Sequence, residues 1–431
     1  MEVLFSVLIF VVPFYFIIKY KSRFIYAYLV FNIIIDVSLG FIEVEMQLVA
    51  ISRALISLLF IFIVYVDSKG KLFHGSFIIL VYLIYLLVLV PFSSNILVSF
   101  SSYLKVVLTI SMFPLGLFYF DSIIKLRKLN VAVIWVMFFI FVNFLFANVF
   151  GIGSNPYGGG IEFYVGNIKL SAINTPVYAL LILTSIFQVN GKNHKKWSVI
   201  FAIPSLIFLI LSLKRISLVA LAFGILIILF YSRHKSKYIK WALIIFVIII
   251  SLSPFYIDIL EQQIEARGQR LNIEIIEKES RYFETLNVIE EIIYGRDIKK
   301  TLFGKEIFNS VGFYASRFSN RPLHVDYNIL LYGTGTIGVF LYLLVYLTIF
   351  FQFRKIKNRL LKNVSNYQGK EIYYILMPLF YAIFWGTLII SISGGMLGIT
   401  HRTLSFLYMG AIIGILKSGS AKVSLSRLKL K

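Results

Sequence analysis

Apolar runs recur from one end of this chain to the other, near residues 3–18, 24–42, 48–66, 73–90, 97–120, 131–150, 170–188, 197–213, 216–231, 241–257, 329–351, 373–393 and 404–416. Runs of about 17–25 apolar residues suit a helix crossing a hydrocarbon core of about 30 Å. Only helices and closed barrels satisfy every backbone hydrogen bond there, and a barrel would show short alternating strands instead. The chain therefore reads as an all-α polytopic membrane protein, with about 12–13 transmembrane helices and one large external loop that carries an amphipathic helix. Composition agrees, since 59% of the 431 residues are hydrophobic and 14% charged. Val3–Ile18 has no basic segment before it and the cluster KYKSR after it, so it is expected to be a retained first span and not a secretory signal. The chain has no cysteine, which excludes disulfides, thiol catalysis and thiolate metal sites.

The connections between runs sort by charge. KYKSR, DSKGK, DSIIKLRKLN, VNGKNHKKW, YSRHKSKYIK, QFRKIKNRLLKNVSNYQGKE and the tail KSGSAKVSLSRLKLK are basic, whereas EVEMQ, PFSSN and GIGSNPYGGG contain no Lys or Arg. The positive-inside rule puts the basic set in the cytoplasm and the other set outside. Most of the net charge of +22 lies in those cytoplasmic connections and the tail, where topology and anionic lipid account for it, so nucleic acid is not an expected partner. Three regions follow: a bundle of about ten spans over 1–257, an extracytoplasmic loop over 258–328, and about three spans over 329–431 with a basic cytoplasmic tail.

A loop as long as 258–328 is usually functional. Within it SRYFETLNVIEEIIYG reads as a helix, with Ser280 as N-cap, Tyr282, Leu286, Ile289 and Ile293 on one stripe, Glu284, Glu290 and Glu291 off it, and Gly295 at its end. Such a helix is expected along the outer membrane surface, with its apolar face in the bilayer or on the bundle. The loop then runs into NRPLHVDYNILLYGTGTIGVFLYLL, where Arg321, His324, Asp326 and Asn328 crowd against a span. Asp326 and Asn328 are expected as helix caps. Gly333, Gly335 and Gly338 match no phosphate loop and are expected to allow close helix packing.

Several cations fall where the positive-inside rule disfavours them. Lys214 and Arg215 sit in a short external hairpin between the eighth and ninth runs, either as an anion clamp or as basic ends snorkelling to headgroups. Arg281 opens the loop helix against its macrodipole, which points to an external anion or to pairing with Glu277 or Glu284. Arg53 lies in the outer half of its span and is expected to pair with Asp36; Lys105 is expected to face an external water-filled cavity and contribute to anion binding. His401 and Arg402 end the last external turn, GGMLGITHRT. No His and carboxylate cluster with metal-ligand spacing is evident.

The order SRYFETLNVIEEIIYGRDIKKTLFGKEIF, then LHVDYNILLYGTGTIGVFLYLL, preceded by LSLKRISLVALAFGIL, resembles the superfamily of O-antigen polymerases and O-antigen ligases over roughly residues 200–350. That family shares an SR-initiated loop helix, a glycine turn, a histidine motif leading into the next span and an SxSR mark at the start of an earlier span. This chain departs from the pattern in three places: Asp326 follows Val325 where an Asn commonly follows the His, Leu213–Lys214 replaces the small residue before Arg, and the turn reads FGKE.

The resemblance implies a bacterial cytoplasmic membrane enzyme that polymerises polyprenyl-diphosphate-linked oligosaccharide repeat units at the outer face of the membrane. It implies a metal-independent glycosyltransferase with no cofactor. His324 and Arg215 are then the expected catalytic residues, with Arg281, Lys214, Arg321 and Lys105 expected to bind diphosphate or glycan. Arginine offers phosphate a planar, permanently charged fork, and a histidine titrating near neutrality suits orientation of an acceptor hydroxyl. His401 and Arg402 are the rival pair. Expected partners are the lipid-linked glycan, membrane lipids, a flippase and a chain-length regulator. Ligase-type transfer of finished glycan, or transport of the lipid-linked glycan, are the alternatives; against transport, the chain shows no internal repeat and no paired broken helices.

Overall fold

The computed structural model describes residues 2–38, 46–73, 75–151, 172–212, 214–233, 235–251, 254, 257–258, 261, 280–310, 323–363 and 367–418. Its helices are α1 (Glu2–Tyr20), α2 (Ile25–Ser38), α3 (Met46–Asp67), α4 (Phe77–Leu89), α5 (Ile96–Ile110), α6 (Met112–Tyr119), α7 (Ile123–Phe150), α8 (Thr175–Val189), α9 (Lys192–Leu211), α10 (Arg215–Tyr231), α11 (Lys235–Ser251), α12 (Ser280–Ile289), α13 (Ile298–Phe303), α14 (Asp326–Asn363), α15 (Tyr367–Ser391) and α16 (Ile399–Ser418). Among the described residues each apolar run is occupied by helix, and there is no strand. Six helical segments among the described residues are long and apolar enough to cross a membrane, and three shorter apolar helices accompany them. The chain is an all-α polytopic membrane protein.

At the centre stands α16, buried from Thr400 to Leu416 and packed against α2, α5, α6, α8, α14 and α15. Small residues bring it there. Gly410 and Gly414 on α16 face Gly116 and the carbonyls of Phe113, Leu117 and Phe120, so that a methyl group at any of the three glycines would strike backbone. Close backbone approach of this kind is how membrane helices gain dispersion contacts where lipid offers no hydrophobic drive.

The connections separate onto two ends of the bundle. At one end the basic segments meet: Ser418 Oγ donates to the Asp121 carbonyl at 2.6 Å, Asn190 Nδ2 donates to the Arg127 carbonyl at 3.1 Å, and the Gln352 amide reaches the Gly75 carbonyl. At the opposite end Ser99 Oγ donates to the Ile307 carbonyl at 2.6 Å and Ser217 Oγ donates to Asn174 Oδ1 at 2.6 Å.

Two loop expectations take a specific form. The helix α12 forms where the sequence places it and runs on as a π-turn over Glu290–Tyr294 before Gly295. Its buried face, however, is not the stripe of Tyr282, Leu286, Ile289 and Ile293. Tyr282, Leu286 and Ile293 are exposed, while Glu284, Val288 and Ile292 pack toward Leu323 and Tyr332 of the neighbouring turn and α14. The reason is Glu284, whose carboxylate is drawn inward by unpaired backbone donors, as described below.

Gly333 and Gly335 serve close packing, Gly335 against the backbone of Leu302 in α13 and of Gly304, and Gly333 against that of Glu306–Phe308 in the loop that follows. Helix α14 kinks at Gly335, where φ is 62°, and the FGKE turn enters the kink with Gly304 at φ 79°. A Cβ on Gly304 would lie 2.5 Å from the Gly333 carbonyl carbon. Both positive φ values favour glycine. The joint is closed by Lys305 N–H donating to the Tyr332 carbonyl at 2.6 Å and Thr336 Oγ1 donating to the Thr301 carbonyl at 3.0 Å.

Candidate functional site

The site is organised by the first turn of α16, where three consecutive residues reach three different groups. His401 and Arg402, expected in a turn, lie inside the helix because it begins at Ile399.

Thr400 joins the first group. Arg53 Nη1 lies 2.6 Å from Asp36 Oδ1, so the expected pair is present, with side chains 7% and 16% exposed. Arg53 Nε donates to Asn32 Oδ1 at 2.8 Å and its Nη2 to Thr400 Oγ1 at 3.2 Å, while the Thr400 hydroxyl donates to Asp36. A guanidinium so far inside a bundle needs this full set of acceptors.

Arg402 joins the second group. Its Nη2 lies 2.5 Å from Asp326 Oδ2 and donates to Ser391 Oγ at 2.7 Å; its Nη1 donates to Tyr346 at 2.8 Å and Tyr342 at 3.3 Å. Asp326 Oδ1 accepts from the backbone N–H groups of Gly395 at 2.8 Å and Met396 at 2.7 Å. Both side chains are essentially buried. Asp326 is therefore the first residue of α14 but not its cap, because its carboxylate is turned to the buried guanidinium. A small cavity bounded by Val106, Thr109, Ile110, Tyr342, Met396, Arg402 and Phe406 adjoins this pair.

The cap of α14 comes from elsewhere. Glu284 Oε1 accepts from His324 N–H at 2.9 Å, Val325 N–H at 3.0 Å and Asn328 Nδ2 at 3.3 Å, and Asn328 Nδ2 also donates to Thr285 Oγ1 at 2.9 Å. A carboxylate at a helix N-terminus satisfies donors that the helix itself leaves open and favours the macrodipole. Asn328 thus ties α14 to α12 and does not cap its own helix. The same bonds fix the backbone of His324, whose side chain is exposed and whose carbonyl presses on Gly394.

His401 occupies the third group. It is fully buried, its ring parallel to Tyr178 with centroids 6.4 Å apart, and Asn174 and Gly395 lie against it. Asn174 Oδ1 accepts from Ser217, in the first turn of α10, and Lys214, half-buried ahead of α10, lies in electrostatic range of the imidazole. Arg215, the first residue of α10, is exposed and has no hydrogen-bond or salt-bridge partner among the described residues. Lys105 is half-buried on α5. Arg281 lies in the first turn of α12, its side chain outside the described residues, as is all of Arg321. No group of three or more His, Cys, Asp or Glu that could hold a metal occurs among the described residues.

The segments that carry the two expected catalytic residues are connected through the 392–398 turn. Gly394 meets the His324 carbonyl, Gly395 meets His401 and Asn174, and Asn174 accepts from Ser217 beside Arg215 and Lys214. The sequence reading missed Glu284, Asn174, Thr175 and Ser217. For Asn174–Thr175–Pro176 a signal was present, a capping residue followed by a proline at a helix start. For Glu284 there was none, because its partners lie forty residues and more away. No protein-family model matches the chain, and no curated protein matches it.

Proposed function

We propose that this protein is a membrane glycosyltransferase that polymerises polyprenyl-diphosphate-linked oligosaccharide units at the extracytoplasmic face of a bacterial cytoplasmic membrane. The observation that carries the reading is the continuous path from the loop helix through Glu284 to His324, across Gly394 and Gly395, to Asn174, Ser217, Lys214 and Arg215. It lies at the end of the bundle opposite the basic connections, where cations have no topogenic role. On this reading Arg215 stabilises charge developing on the departing diphosphate, and the exposed His324 side chain orients the attacking sugar hydroxyl. Lys214 adds a second positive charge behind Arg215.

His324→Ala and Arg215→Ala are each expected to abolish elongation at normal protein levels and leave single repeat units on the carrier. Arg215→Lys is the sharper variant, since lysine keeps the charge but lacks the two-point donor geometry, and a severe loss is expected there too. Little effect from Arg215→Lys would reduce Arg215 to an interfacial anchor. Accumulation of complete polymer on the carrier after deletion of the gene would instead indicate the ligase reaction.

A further inference from the structure

The group around His401 contains more hydrogen-bonding capacity than the protein uses. His401 Nδ1 and Nε2, Asn174 Nδ2 and Thr175 Oγ1 are all buried without a hydrogen-bond partner. The Gly395 carbonyl lies close enough to act on the imidazole as a hydrogen-bond acceptor, but its geometry leaves neither ring nitrogen satisfied. Buried polar atoms left open in this way are costly, of the order of 1–3 kcal/mol each, and four in one place require an explanation.

They are not scattered. Thr175 and Tyr178 share a face of α8, and the Tyr178 ring stacks on His401. A Cβ added to Gly395 would lie 3.0 Å from His401 Nε2 and 3.2 Å from Asn174 Nδ2, so both nitrogens stand against the same side of a residue with no side chain. Asn174 is held by Ser217 through its oxygen, which leaves its NH2 group turned toward the histidine.

The electrostatics at that point favour one sign. Three helix N-termini meet there, those of α8, α10 and α16, and neither Asn174 nor Lys214 uses its side chain to cap the helix it precedes. Each N-terminus carries roughly half a positive charge on its open N–H groups. The imidazole also feels Arg402 and Lys214. The two acids that reach this region are already engaged, Asp326 by Arg402, Gly395 N–H and Met396 N–H, and Asp36 by Arg53 and Thr400.

We propose that His401, Asn174 and Thr175 form a phosphate oxyanion site inside the bundle, at the convergence of the three helix N-termini. Asn174 Nδ2, one imidazole N–H and the Thr175 hydroxyl donate to the oxyanion, and Lys214 supplies charge from the side of α10. Two ligands share this chemistry, a free phosphate or diphosphate and the diphosphate of a lipid carrier. The identification with the carrier rests on the polymerase reading above; the oxyanion site does not.

The test uses the full chain, purified in detergent micelles, and titrates it calorimetrically with inorganic pyrophosphate. Binding to the wild type is expected, weakened at least about tenfold by Asn174→Asp, in line with the loss of a charge-assisted hydrogen bond. Aspartate keeps the acceptor for Ser217 but replaces the NH2 donor by a negative charge. His401→Gln, chosen because His401→Ala opens a cavity beside Tyr178, is expected to weaken binding similarly, and Lys125→Ala at the other end of the bundle is expected to leave it unchanged. Competition against nanodiscs of phosphatidylcholine with and without polyprenyl diphosphate separates the sources: loss of pyrophosphate binding only with the carrier assigns the site to the lipid, and undiminished binding assigns it to a free phosphate. No pyrophosphate binding by the folded wild type, or equal affinity in the wild type, Asn174→Asp and His401→Gln, overturns the site. Pyrophosphate binding in a protein that supports no elongation would leave the site standing and reject the polymerase reading alone.

Discussion

The two ends of the bundle hold their cations in opposite ways. At the basic end Lys125 pairs with Asp121 at 2.8 Å across side chains 31% and 58% exposed, Arg233 lies over the Tyr374 ring, and Arg127 Nε donates to the Val189 carbonyl. At the other end Arg402 and Asp326 are 2% and 0% exposed, and every group on Asp326 has a partner. Charge at the first end is abundant and weakly committed, as charge that sets orientation against a membrane can be. Charge at the second includes exposed groups such as Arg215 and the Lys305–Glu291 pair, but its distinguishing members, Arg402 with Asp326 and Arg53 with Asp36, are deeply bonded, which membrane burial demands. Position in the sequence marks both kinds alike as Lys or Arg; depth and partners separate them.

The largest expected effect comes from cutting the deep pair. Arg402→Ala leaves the Asp326 carboxylate buried without its counter-charge, and a loss of about 3–5 kcal/mol is expected. Reversible unfolding in micelles is the measurement. Replacing both residues by leucine should cost much less than the sum of the two single changes, since the uncompensated charge disappears with its partner. A double variant as unstable as the sum would show that the pair is not the unit of stability.

A smaller loss, about 1–3 kcal/mol, is expected from Glu284→Ala, which strips acceptors from His324 N–H and Val325 N–H at the start of α14. Hydrogen exchange should rise over Glu284–Tyr294 and at 324–325 while the core of α16 stays protected. Glu284→Gln keeps one oxygen for those donors and should fall between the two. Uniform protection in Glu284→Ala would mean that α12 is held by Val288 and Ile292 alone.

These two residues also show what the sequence made legible. The spans, the loop helix and the Arg53–Asp36 pair follow from apolar length, periodicity and the cost of an unpaired charge in lipid, all of which are local or nearly so. Asp326 was misassigned and the capping role of Glu284 missed for one reason. A capping residue is recognised from its own helix, and here the two acids exchange tasks across the fold: Asp326 leaves its helix start for Arg402, and Glu284 arrives from α12 to replace it. Which face of α12 meets the protein was not legible for the same reason, because a face holding Glu284 reads as polar until its partners are known.

Acid should reveal a third, smaller effect at the same end. Glu306 accepts from Ser94 N–H at 2.9 Å, Ser93 Oγ at 3.2 Å, Asn309 Nδ2 at 2.5 Å and the Ser94 hydroxyl. Partial burial pushes its carboxyl upward, but these donors outweigh it and hold the group below the usual carboxylate range. A depressed pKa stabilises the fold above the unfolded value, and that contribution fades as pH falls through the lower folded value. Proteolysis near 93–95 should therefore increase below about pH 4, and Glu306→Gln should show the increased cleavage at neutral pH already. An acid-insensitive loop in the wild type would separate Glu306 from the closure of this end.

The smallest expected effect is the one that most directly tests the contrast between the ends. Lys125 has the better-made contacts of the basic end: its Nζ donates to Asp121 Oδ2 and to the Tyr119 carbonyl, each at 2.8 Å, and lies 4.6 Å from the Tyr119 ring centroid. Even so, the pair is half in water, where screening and side-chain entropy reduce such interactions to about 0.2–1 kcal/mol. Lys125→Ala is expected to lower stability by no more than that, and raised salt should erase most of the difference. The same change made at Arg402 should be nearly insensitive to salt, because ions do not reach a buried pair. A loss above about 2 kcal/mol for Lys125→Ala, or one that persists in high salt, would exceed what an exposed pair supplies. It would place a structural cation at the basic end and break the division of labour between the two ends.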